Sequence, residues 1–235
     1  MNNLESYIAQ VKQILLASSD EYTKEKVLRL TSGSKCIGIN VPQIRQISKT
    51  FKTEKSLQFS TVCDMADSLF EDECREEILF AIFLISMYKK EIYNISWNRI
   101  NSWLDYIDNW ETCDQLSSNI VTAIIVNNPS LTKELLLLAK SSNKWKRRFA
   151  VATIANMNHG GRQYPDETFS ICETLLSDKE QVVSKAVGWA LREISKKCSE
   201  QTFDFLNQNK TVIPNRLLKE SIELLPETLR ASLIN

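Results

Sequence analysis

The chain has 235 residues, 43% hydrophobic and 25% charged, a composition that excludes disorder or a collagen-like fibre and leaves a globular protein with a core of its own. Its 29 Lys and Arg balance its 29 Asp and Glu, so a uniformly basic, polyanion-coating protein is excluded as well. Five glycines and five prolines are too few for a sandwich or barrel that turns every ~8 to 12 residues.

At the N-terminus, Met1-Asn2-Asn3-Leu4-Glu5 has neither a basic nor an apolar leader segment. No apolar run approaches the ~20 residues that cross a bilayer. A cytoplasmic protein without membrane contact is expected. The cysteines, Cys36, Cys63, Cys74, Cys113, Cys172 and Cys198, form no Cys-x-x-Cys pair, and the single histidine, His159, has none beside it. Neither a metal site nor a disulfide framework is therefore expected, and the thiols are read as small core residues.

Apolar residues recur at three and four spacings from the start of the chain, at Leu4, Ile8, Val11, Ile14 and Leu15, and again at Ile78, Ile82 and Ile85. Breaks fall at Ser32-Gly33-Ser34, Asn127-Asn128-Pro129, Ser141-Ser142-Asn143, Asn158-His159-Gly160-Gly161 and Pro214-Asn215. This pattern predicts about twelve to fourteen helices of ~10 to 18 residues with short connections. Short connections set neighbours antiparallel, and a long succession of such pairs stacks more readily than it closes into one bundle. The expected fold is all-α, an α-solenoid of HEAT-like antiparallel helical pairs forming a single domain over residues 1–235. Trp110, Trp145 and Trp189 lie 35 and 44 residues apart, within the range of such ~40-residue pairs.

Three helices depart from a plain core-and-surface pattern. The first opens after Asp108-Asn109, either of which can cap it, and places Trp110 and Asp114 on one face. Asp114 is then a carboxylate at the edge of an apolar stripe, either a structural anion near a helix N-terminus or a catalytic group. The second, Lys144-Trp145-Lys146-Arg147-Arg148-Phe149, begins with cations that oppose the helix dipole unless something negative docks nearby. Trp145, Phe149 and Ala152 form its expected core stripe.

The third runs from Val182 to Lys197. At 100° per residue, Val183, Val187, Ala190, Leu191 and Ile194 share an arc of about 100° and form the core stripe. Lys185, Trp189, Arg192 and Lys196 fall opposite, and an aromatic ring among cations suits a nucleic-acid backbone. Gly188, costing ~1 kcal/mol against alanine in mid-helix, points to close approach of another helix or of a ligand. Charge is distributed accordingly: residues 137–219 hold fourteen Lys or Arg against eight Asp or Glu, so the remainder of the neutral chain is acidic. Such asymmetry is compatible with a basic face for phosphates.

Together, Asn109-Trp110-x-x-x-Asp114, Trp145-x-Arg147-Arg148 and Ala186-Val187-Gly188-Trp189-Ala190-Leu191-Arg192-Glu193 resemble the AlkD family of alkylpurine DNA glycosylases. Gly38-Ile39-Asn40-Val41-Pro42-Gln43-Ile44-Arg45 and the run from Glu73 to Ile85 resemble that family's N-terminal half. The resemblance implies a HEAT-like solenoid with a concave positive cleft for duplex DNA and neither metal nor cofactor. It further implies a monofunctional hydrolase that releases purines alkylated at N3 or N7. Carried over by residue, Asp114 matches the catalytic aspartate, Trp110 and Trp189 the tryptophans beside the lesion's deoxyribose, and Arg148 and Arg192 the cleft arginines. The basic run and stripe add Arg147 and Lys185 as expected DNA contacts. The partner is then duplex DNA bearing alkylated purines, met by a monomer. The alternative is a non-catalytic HEAT-like DNA-binding or protein-interaction module, which has no need of a carboxylate between two indoles.

Overall fold

The structure, a computed structural model, describes residues 3–31 and 33–234. Met1 and Asn2 of the N-terminal reading, Ser32 of the first break, and Asn235 lie outside them. The described residues are helical throughout, with no strand among them. They divide into two compact units, one up to Ile124 and one from Ile125.

The first unit contains α1 (Asn3–Ala17), α2 (Glu21–Leu30), α3 (Val41–Lys55), α4 (Phe59–Glu71), α5 (Arg75–Ser86), α6 (Trp97–Trp103) and α7 (Trp110–Leu116). Asx and Ser caps start several of these helices. The Asp20 carboxylate accepts from Thr23 N–H at 2.8 Å, Asn40 Oδ1 from Gln43 N–H at 3.0 Å, and Ser96 Oγ from Arg99 N–H at 3.3 Å. Helix α5, Arg-Glu-Glu-Ile-Leu-Phe-Ala-Ile-Phe-Leu-Ile-Ser, is apolar on every side and is buried from Arg75 to Ile85. It is the axis of the unit, with α3, α4 and α7 packed around it.

Its first turn carries buried charge. The Glu76 carboxylate accepts backbone N–H groups from Ile37, Gly38 and Ile39 at 2.7, 3.2 and 3.3 Å. Arg75 Nη1 donates to Glu76 Oε1 at 2.7 Å and to Ile39 O at 3.0 Å, while its Nε donates to Glu111 Oε2 at 2.5 Å. Gly38 makes this loop possible. Its φ is +99°, and a Cβ there would come within 2.6 Å of Asp20 O.

The second unit holds α9 (Thr132–Ala139), α10 (Lys144–Met157), α11 (Pro165–Leu175), α12 (Gln181–Ser195), α13 (Ser199–Gln208), α14 (Asn215–Ser221) and α15 (Glu227–Ile234); α8 (Thr122–Asn127) spans the boundary. The α10–α12 pair is its most extensive packing, with Phe149 to Ala155 and Val183, Val187, Ala190, Leu191 and Ile194 all buried. Several helices are shorter than the periodicity predicts, because 3₁₀ turns at Leu104–Tyr106 and Pro129–Leu131 and a π-helical turn at Ser117–Val121 interrupt regular winding.

Among the described residues the six cysteines form no disulfide, and five of them are buried. Burial pushes the Cys63 and Cys74 thiols up to about 11 and about 12, so they stay protonated at neutral pH. No helix of the described residues is long and apolar enough to cross a membrane.

Removing one member of a buried ionic cluster leaves the others uncompensated. Glu76→Gln is therefore expected to lower unfolding stability by ~3 kcal/mol, read from urea denaturation; an unchanged midpoint would show that the Ile37–Ile39 loop is held by other contacts.

Candidate nucleic-acid interface

Helix α7 presents the first pair of expected site residues. Asn109, fully buried, caps it, its Oδ1 accepting from Glu111 N–H at 3.1 Å and Thr112 N–H at 3.0 Å. Glu111, about 100° round the helix from Trp110, is tied to Arg75 of α5, which fixes the rotation of α7 about its axis. Burial alone would lower the Arg75 pKa, but the Glu111 hydrogen bond and the fields of Glu111 and Glu76 more than offset it and hold it above the ordinary value. Trp110 is 37% exposed, and its indole N–H donates at 2.9 Å to Leu30 O, the last carbonyl of α2. That bond satisfies one of the carbonyls a helix end leaves open and pins the edge of the ring, while the side chain stays partly exposed. Asp114, half-buried, follows one turn later on the same side.

Immediately beyond Asp114 the helix widens. Ser117–Val121 winds as a π-turn, with Thr122 N–H donating to Ser117 O. Such one-residue insertions are frequent at functional sites.

In the second unit the α12 stripe lies as its periodicity predicts. Lys185 is exposed, and Trp189 and Arg192 are half-exposed on the side opposite the buried Val187 and Leu191. The neighbour that Gly188 requires is Glu220 of α14: a Cβ at Gly188 would stand 2.7 Å from its Cδ. Further along the same helix, Arg192 Nη1 donates to Glu223 Oε2 at 2.7 Å.

Two of the cations at the start of α10, Lys144 and Arg147, are answered from within the unit. Arg147 Nε and Nη2 donate to the two Asp178 carboxylate oxygens at 2.6 and 3.2 Å, and its Nη1 reaches Ser141 O and Ser142 O at 3.0 and 2.9 Å. Lys144 pairs with Glu180 at 3.5 Å. The adverse dipole is thus offset by the acidic turn before α12, and Arg147 fastens α10 to that turn. Arg148 is 8% exposed and donates to Val182 O at 2.6 Å. Trp145, expected in the core, is half-buried, because it sits in the first turn of α10 with the Lys144 ammonium 5.7 Å above its ring.

The structure thus places Trp110 and Asp114 on one face of α7 in the first unit, and Arg147 and Arg148 on α10 and Lys185, Trp189 and Arg192 on α12 in the second. The residues that orient the first pair, Arg75 and Glu111, carry no motif that sequence reading could find. Arg45, at the end of the Gly38–Arg45 stretch, was within a resembling segment but had no role there. Among the described residues there is no group of three or more His, Cys, Asp or Glu side chains arranged to hold a metal ion.

Residues 11–225 match the family described as DNA alkylation repair enzyme. The chain belongs to that family. As a DNA alkylation repair family member it shares its fold with a protein from Enterococcus faecalis described as a predicted DNA alkylation repair enzyme, at 17% identity and a TM-score of 0.74, over 89% of this chain and 98% of the other. It is also similar to AlkD2 from Streptococcus mutans, at 20% identity and a TM-score of 0.58, over 86% of this chain and 99% of that one. No curated protein matches it. The architecture is that of a helical-repeat protein of the DNA alkylation repair family, and DNA is its expected partner.

In this DNA alkylation repair family member the Arg192–Glu223 pair is partly exposed, at 30% and 59%, and exposed pairs contribute little to stability, ~0 to 1 kcal/mol. A phosphate approaching Arg192 would compete with Glu223 for one guanidinium. Glu223→Gln is expected to leave the melting temperature within ~2 °C while strengthening duplex binding several-fold at low salt. Unchanged or weaker binding would place Arg192 away from the DNA.

Proposed function

We propose that the chain is a monofunctional DNA glycosylase that hydrolyses the N-glycosidic bond of purines carrying a positive charge from alkylation at N3 or N7, in duplex DNA. The observation that carries this reading is the Trp110–Asp114 pair: a partly exposed indole held by its edge, and a carboxylate one turn away on a helix whose rotation is fixed by Glu111.

Alkylation makes the purine a good leaving group, so no acid is needed to expel it. The C1′–N bond breaks with its electron pair going to the base, which leaves neutral, and positive charge develops on the sugar. Asp114 stabilises that charge, orients a water toward C1′ and accepts its proton as the new C–O bond forms. Trp110 and Trp189 each offer an indole face to the developing cation, worth ~0.5 to 2 kcal/mol apiece. Lys185, Arg148 and Arg192 hold the phosphate backbone, while Arg147 acts beside them by fixing the start of α10. The reading assigns neither metal nor cofactor to the site and takes the enzyme to be a cytoplasmic monomer.

Asp114→Asn keeps the shape of the side chain and removes its charge. It is expected to bind duplex DNA as the wild type does and to release 7-methylguanine ~10² to 10³ times more slowly in single-turnover assays. Release at the wild-type rate would make Asp114 a structural residue and favour a non-catalytic DNA-binding module.

A further inference from the structure

Helix α3 carries an arginine that is built into a fixed position without an anion. The guanidinium carbon of Arg45 lies 3.8 Å from the centroid of the Phe83 ring on α5. Its Nη2 donates to Gln115 Oε1 at 2.8 Å and its Nη1 to Asn119 Oδ1 at 3.5 Å. Those two amides are themselves locked, since Asn119 Nδ2 donates to Gln115 O and to Gln115 Oε1, each at 2.8 Å. Gln115 directly follows Asp114, and Asn119 sits in the π-turn, so the widened segment aims both amides at Arg45.

The contrast with six of the other arginines is chemical. Arg29, Arg75, Arg99, Arg147, Arg192 and Arg230 each meet at least one carboxylate. Arg45 meets none among the described residues, and its only partners are a ring and two neutral amides. A guanidinium has five N–H donors. The amides take two, and the rest, with the whole positive charge, remain on an exposed side chain. Burial lowers the pKa of Arg45, and no acid offsets it, so the charge is held in a partly desolvated place where an incoming anion gains most. Planar, stacked and pre-oriented donors are the geometry that takes two oxygens of one phosphate at once.

We propose that Arg45, stacked on Phe83 and aimed by Gln115 and Asn119, binds a backbone phosphate of the DNA beside the Trp110–Asp114 pair. This rests on the DNA-glycosylase reading and extends it from the sugar to the backbone on the α3 side of α7. Gln115 and Asn119 are positioning residues here: they act on the phosphate through Arg45.

The test is the salt dependence of binding to an undamaged duplex in chloride buffers, alongside single-turnover base release. Arg45→Met keeps an unbranched stem over Phe83 and removes the charge; Arg45→Gln is a second neutral variant should the first fold poorly, and thermal melting establishes which is folded. The proposal expects the slope of log K against log salt to fall by ~1 in a folded neutral variant, with Arg45→Lys retaining the slope but binding more weakly for want of the fork. An unchanged slope in the folded neutral variants would overturn it, as would slower base release with unchanged binding. A wild type that binds duplex but releases no base would instead refute the glycosylase reading and leave this contact standing.

Discussion

The bridge from Arg75 to Glu111 is the interaction on which the rest of the first unit depends. Arg75 starts the most buried helix of the unit, and its guanidinium holds Glu76, the Ile39 carbonyl and Glu111 at once. Through Glu76 it closes the Ile37–Ile39 loop over the start of α5; through Glu111 it fixes α7. Buried charge of this kind is a poor source of net stability, because desolvation costs about as much as the attraction returns. Its effect is positional. With Glu111 held to α5 the rotation of α7 is set, and Trp110, about 100° round the helix from Glu111, reaches the last carbonyl of α2.

The second unit reaches a similar end by different means. Its basic helix starts are not left to solvent: Asp178 and Glu180 in one short turn take Arg147 and Lys144 and join α10 to α12. The absence of a side chain at Gly188 admits Glu220, so α14 lies directly along the helix that carries Trp189 and Arg192. Glu220 of α14 and Glu223 just beyond it therefore stand beside the α12 stripe.

Much of this was legible in the sequence where the signal is local. The three-and-four spacing specifies helices throughout, Asn109 caps α7, and the α12 stripe separates Trp189 and Lys185 from Val187 and Leu191 as winding at 100° per residue requires. What was not legible has a long reach or breaks the period. Arg75 and Glu111 are 36 residues apart and Arg147 and Asp178 are 31 apart, and charge pairing over such distances has no pattern in a single sequence. The π-turn at Ser117–Val121 adds one residue to a helical turn without a glycine or proline to announce it. Arg45 reads as an ordinary surface cation until the ring of Phe83 and the amides of Gln115 and Asn119 are seen around it. Trp145 was assigned to the core by periodicity, which does not register that a first-turn residue has no preceding turn to cover it.

The central claim is that the substrate supplies the positive charge and the protein supplies only its stabilisation. The most direct measurement is single-turnover base release by the wild-type chain from two duplexes of one sequence, one holding 7-methylguanine and the other a neutral lesion, uracil or 1,N6-ethenoadenine. The account predicts release of 7-methylguanine and none of the neutral base, which leaves poorly without protonation or strong leaving-group contacts. Efficient release of the neutral base would contradict it.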